Sequence, residues 1–203
     1  MVYVLPPSNR RRDTSSSPFL GDSMILLVSW LLLAEIQASS VYSALFDTGV
    51  TWTEFVASVG FEQGDWEGRR AAAVVDSRMV RRFENAMQGD QLLVVAEAAC
   101  PDSRAVVPYV VRLAEQAHVS LRIVDRRVGR PVMDEHRTSD GRRATPTIVI
   151  LHDGRAVGTW VERPIPLRDP TLRFSFVRDW HVRDGGRTTI REIVELAEES
   201  DRR

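Results

Sequence analysis

The spacing of apolar residues changes sharply along this chain, and each change predicts an element. Behind the capping-box pattern Thr51-Trp52-Thr53-Glu54, apolar side chains recur at helical steps (Phe55, Val56, Val59) and stop at Gly60. Gly64–Arg70 is charged and reads as a loop. Ser77–Gln88 predicts a second helix, with Met79, Val80, Phe83, Ala86 and Met87 in one stripe and Gly89 as the stop. Arg78, Arg81 and Arg82 lie off that stripe and are expected to face water. Leu92–Ala96 is continuously apolar, as in a strand covered on both faces. Pro101–Ala117 returns to helical spacing (Val106, Val107, Val110, Val111, Leu113, Ala114), and Pro108 inside it is expected to bend the helix. Ser120–Val124 is the next strand, and strand–helix–strand order predicts a right-handed crossover joining a parallel pair.

Further on, Arg130–Arg137 predicts a short helix that buries Val132 and Met133. Thr147–Leu151 and Ala156–Val161 flank His152-Asp153-Gly154-Arg155 and predict a hairpin, which Pro164-Ile165-Pro166 ends. Leu167–Gly186 reads as a long connection whose Phe174, Phe176 and Trp180 pack on the domain surface. A second capping-box pattern, Thr189-Ile190-Arg191-Glu192, opens a last helix with Ile190, Ile193, Val194 and Ala197 on one face. The pattern predicts one α/β domain: a central mixed sheet, helices on both faces, and an N-terminal helical extension.

The N-terminus is different in kind. Residues 1–23 are polar and turn-rich, without the apolar content to order themselves. Met24–Ala34 is apolar except for Ser29, but too short to span a bilayer, so no membrane association is expected. Two readings compete for it. One is a secretory signal ending at the small residues Ala38-Ser39-Ser40, although Asp13 and Asp22 separate it from the upstream arginines. The other is a start codon assigned too far upstream, or an apolar helix lying on the domain. The division expected is an extension over residues 1–47 and a domain over 48–203. The expected compartment is the cytoplasm, with export through Met24–Ala34 as the alternative.

Composition adds exclusions. The 27 basic residues, all arginine, balance 28 acidic ones, so no basic excess points to nucleic acid. The absence of lysine reads as codon usage. A single cysteine excludes an intramolecular disulfide and any multi-cysteine zinc site. His118, His136, His152 and His181 are scattered without ligand spacing, so no metal site and no bound cofactor are expected.

That cysteine is the candidate for chemistry. Cys100 follows the apolar strand and immediately precedes the Pro101 helix. Unpaired backbone N–H groups and the positive end of the dipole favour an anion there, which raises thiolate character. Asp102 opposes this, Pro101 suits a first helical position, and Ser103 offers a hydroxyl to the sulfur. Some forty residues on, Thr145-Pro146 opens a strand in a way that suits a cis bond in a tight turn. The plain alternatives are a packed cysteine and a turn that only shapes the sheet. Glu97 is a candidate to take a proton or organise water, with a solvent-facing carboxylate as the alternative.

Cys100-Pro101-Asp102-Ser103, Pro108, Thr145-Pro146-Thr147 and Asp153-Gly154-Arg155, in that order and spacing, resemble the thioredoxin superfamily. The closer resemblance is to a bacterial subgroup with a Trp-Cys-x-Asp-Cys motif and a Gly-x-Trp-x-x-Arg-Pro ending, here Gly158-Thr159-Trp160-Val161-Glu162-Arg163-Pro164. It implies a thioredoxin-like fold, thiol–disulfide exchange in cell redox homeostasis, and protein thiols or mixed disulfides as partners. Cys100 and Ser103 would carry the chemistry, and Pro101, Thr145 and Pro146 would meet the substrate. Ser103 stands for the second cysteine and Ala99 for the tryptophan, so any exchange must be monothiol. A low-molecular-weight thiol is then the natural co-substrate. The competing reading is a redox-inert module that binds a partner peptide beside Pro146.

Overall fold

Four strands form one mixed sheet in the order β2-β1-β3-β4. They are Gln91–Ala96 (β1), Ser120–Asp125 (β2), Thr147–His152 (β3) and Arg155–Val161 (β4). The computed structural model describes residues 41–202. The apolar run Met24–Ala34, the Ala38-Ser39-Ser40 site and the polar tail lie outside the described residues. β1 pairs with β2 in parallel, in register Leu92↔Leu121 and Val94↔Ile123, as the crossover predicts. It pairs antiparallel with β3, and β3 pairs antiparallel with β4.

Because successive strand residues face opposite ways, the continuous apolar run of β1 supplies two cores. Leu92, Val94 and Ala96 join Ile148, Ile150 and Trp160 on one face. That face is covered by Trp52–Ser58 (α2), Gln63–Ala72 (α3), Ser77–Ala86 (α4), Pro101–Gln116 (α5) and Arg187–Asp201 (α8). Leu93 and Val95 join Val149 and Leu151 on the other, under Arg130–Glu135 (α6) and the helical residues 41–48 (α1). Tyr42, Leu45 and Phe46, assigned to the extension from sequence, pack in this second core. Residue 50 adds a short antiparallel bridge to β2 through reciprocal Val50–Ile123 bonds of 2.8 Å.

The hairpin forms where it was predicted, with Asp153 and Gly154 both at positive φ (47° and 72°), the signature of a two-residue type I′ turn. Three local expectations fail. Gly64–Arg70 is helical, within α3. Its one large apolar residue, Trp66, is fully buried edge-on to Phe55, and a lone residue gives no periodicity to read. The expected connection after Leu167 contains a helix, Phe174–Asp184 (α7), which buries Val177 and His181 and leaves Phe174 and Phe176 exposed. The last helix starts three residues early, at Arg187, with Gly186 and not Thr189 as N-cap. Glu192 closes no capping box: it is buried, accepting from Trp160 Nε1 at 2.9 Å and from the Ile165 N–H at 2.8 Å. Arg82, its side chain 40% exposed, keeps to the surface as expected and there makes a two-bond pair with Glu198, at 2.7 and 2.8 Å.

Gly186 is required twice over. Its φ is 76°, and a Cβ there would lie 2.3 Å from the Tyr109 ring on α5. Gly186→Ala is expected to cost about 2–3 kcal/mol in denaturant unfolding, since strain and overpacking add. Among the described residues no helix is long and apolar enough to cross a membrane.

Candidate functional site at the mouth of the α5 helix

Cys100 is the N-cap of α5. Its extended backbone (φ −78°, ψ 120°) lets its carbonyl accept the first helical bond from the Arg104 N–H, at 3.0 Å, while its own N–H donates to Glu97 O at 3.0 Å. Cys100 is partly exposed. The Ser103 N–H donates to Sγ at 3.5 Å, so the sulfur occupies the place of a capping oxygen. On its other side the thiol donates to the Thr145 carbonyl at 3.2 Å. The Thr145–Pro146 bond is cis. The fold thus brings Cys100, Ser103, Thr145 and Pro146 together across the gap between α5 and β3, with Pro101 exposed at the first helical position.

One residue sits otherwise than expected. Ser103 is fully buried and reaches the sulfur through its backbone N–H, while its hydroxyl accepts from the Glu97 N–H at 3.4 Å. The helix start decides this, because the N-cap atom lies over the amides of the first turn. Glu97 follows β1, with its half-exposed carboxylate 3.5 Å from Arg126 Nη1.

The segment after β4 holds both halves of the site. Glu162, at φ 61°, donates its N–H to Pro146 O at 2.8 Å, and its carboxylate takes two bonds from Arg142, at 3.1 and 3.2 Å. Arg163 makes two bonds to Asp102, at 2.7 and 3.0 Å. Glu162 therefore anchors the proline loop while Arg163 anchors the first turn of α5. Asp102 holds the Arg163 guanidinium above the usual arginine range. In return, the positive charge offsets the carboxylate that would oppose a thiolate at Cys100.

The sequence model of the thioredoxin family matches residues 49–175, which contain the whole of this arrangement. The chain belongs to the thioredoxin family. Its fold is shared by a protein of unknown function from Pseudomonas aeruginosa, with TM-score 0.66 and 21% identity over 78% of this chain and 98% of that one. It is shared also by an HIV epitope-scaffold, with TM-score 0.63 and 23% identity over the same shares. A search of curated proteins gives no match.

Within this thioredoxin-family domain, sequence reasoning missed His181. It is buried on α7, its Nε2 is 3.9 Å from Asp102 Oδ1, and that nitrogen has no hydrogen-bond partner. A helix with only two buried residues offers no stripe to find it by; its spacing of four from Val177 was the one available signal. Burial pushes its pKa below the ordinary histidine value, and Asp102 pulls the other way. The unfolded chain then takes the proton first, so stability falls as pH drops through about 6.5 toward the lower folded value. His136, also lowered by burial, acts in the same direction. His181→Leu is expected to flatten part of this slope in urea unfolding followed from about pH 8 to about pH 5.

Several concavities border the site, two of them beside α5 and the ends of β1 and β2. One, of about 690 Å³, lies at the carboxyl ends of β1 and β2 and is lined by Glu97, Arg126, Arg127, Arg130 and Arg143 among others. The second, of about 260 Å³, lies between the first turn of α5 and α7. Among the described residues no group of three or more His, Cys, Asp and Glu side chains could hold a metal ion.

Proposed function

We propose that this thioredoxin-family chain performs monothiol exchange through Cys100. The observation that carries the reading is a partly exposed cysteine whose sulfur is capped by the Ser103 N–H and faces the Thr145 carbonyl beside a cis proline. The Cys100 thiolate attacks one sulfur of a partner's disulfide. A Cys100–partner S–S bond forms, the old bond breaks, and its electron pair leaves with the second sulfur as a thiolate. Ser103 cannot resolve the product, so a second thiolate, from a low-molecular-weight thiol or another protein, attacks the mixed disulfide and returns Cys100 as a thiolate. The Thr145 backbone is the proposed pairing edge for the partner peptide, since the Pro146 carbonyl is already taken by the Glu162 N–H and proline has no N–H of its own. Pro101 is the exposed contact beside it.

A stable covalent intermediate is the expected signature. Incubation with a peptide disulfide is expected to add one peptide mass to Cys100, removed again by a small thiol. Absence of any adduct under conditions that modify a free cysteine would leave the redox-inert peptide-binding module as the better reading.

A further inference from the structure

The concavity between α5 and α7 has apolar walls from Pro101, Ala105, Phe174, Val177 and Val182, and Arg69, Arg104 and Arg178 around them. Two of its lining residues carry buried nitrogens with no hydrogen-bond partner, His181 Nε2 and Arg104 Nε. Leaving a buried polar group unsatisfied costs about 1–3 kcal/mol, so two in one place point to a missing ligand atom. Asp102 is the only carboxylate in the lining, and Arg163 already takes both its oxygens. Glu62 and Asp65 hold Arg104 and Asp65 holds Arg69 from outside the lining, while Arg178 pairs with the exposed Asp179.

We infer that this concavity receives an acidic side chain, Asp or Glu, from a peptide partner joined to Cys100. The occupant follows from size, charge and place. At about 260 Å³ the space is smaller than the roughly 300–1,000 Å³ typical of a whole small-molecule ligand, and it suits one side chain. The Arg104 Nε–H and the surrounding arginines call for an acceptor with negative charge, to which His181 Nε2 donates in the tautomer that carries its proton there. Pro101, bonded to the nucleophilic residue, forms part of the wall. A peptide held at Cys100 advances about 3.3 Å per residue, so a side chain close to its cysteine falls within reach. The inference rests on the exchange reading for its covalent step, and the binding arm below separates the two.

Two peptides, identical except for Glu or Gln beside their single cysteine, are joined through that cysteine to thionitrobenzoate. Attack by the Cys100 thiolate forms the protein–peptide disulfide and expels the coloured thionitrobenzoate thiolate. Each rate is divided by that for a small neutral thiol, which removes the peptide's own reactivity. The Glu peptide is expected to react about tenfold faster than the Gln peptide, the value of one charged hydrogen bond. That ratio is expected to fall to near one in Arg104→Gln and in His181→Leu. Equal corrected rates in the wild type would overturn the inference, as would a preference that survives both substitutions.

If neither peptide reacts, the exchange reading fails alone. Docking is then read by titration calorimetry with serine-for-cysteine versions of both peptides. About tenfold tighter binding of the Glu form supports the pocket, and equal binding overturns it. The thionitrobenzoate disulfide of mercaptosuccinate matching the Glu peptide in corrected rate would overturn the peptide occupant in favour of a small acid.

Discussion

Cys100→Ser is expected to reduce release of thiol from a peptide or glutathionyl mixed disulfide to the uncatalysed rate. The loss expected is on the order of a thousandfold, because a hydroxyl contributes almost no anion at neutral pH and the chain holds no second thiol. Serine keeps the capping geometry, since its oxygen can accept from the Ser103 N–H as the sulfur does at 3.5 Å. Stability should therefore change little, and the comparison isolates chemistry. Steady-state release assayed with a small thiol as second substrate measures it. Equal rates for the two proteins would eliminate exchange and favour the peptide-binding module. Ser103→Cys sharpens the test: position 103 starts the same helical turn and is fully buried, so a thiol there can attack the mixed disulfide from within. The covalent intermediate that accumulates in the natural sequence should then fail to accumulate.

Arg163→Leu is expected to be the most damaging single change to stability near the site. Asp102 is 8% exposed and both its oxygens depend on Arg163, while the nearby His181 is kept neutral by burial. Removing one partner of such a pair strands a charge, for an expected loss of about 3 kcal/mol. For a chain of this size that is about 6–12 °C in thermal midpoint, measurable by calorimetry or circular dichroism. Removing both charges, as Asp102→Leu with Arg163→Leu, should recover much of the loss, because the desolvation cost of the pair disappears with it. A double variant no more stable than Arg163→Leu would show that packing of the arginine stem, not the charge, holds the turn.

Where one residue decides a local conformation, the sequence reading and the fold agree. Asp153-Gly154 carries the positive φ angles of its turn, Pro101 sits where a missing N–H does no harm, and Leu92–Ala96 fills two cores as a two-sided strand must. Agreement ends where the deciding partner is remote. The charged surface of α3 hides its one anchor, Trp66. Glu192 looks like a helix cap and serves Trp160 and Ile165 instead. That Arg163 meets Asp102 depends on chain 61 positions apart folding back on itself.

From residue order alone come the strand and helix periods, the hairpin, and a lone thiol placed where a helix begins, because each rests on forces acting within a few residues. Only the folded chain decides that Thr145 faces the sulfur, that Glu162 and Arg163 hold the two sides of the site, and that His181 lies buried beside Asp102. Those contacts join residues far apart in the chain. Their formation depends on the entropy of closing long loops being offset by shared burial in one core, a balance that no local pattern records.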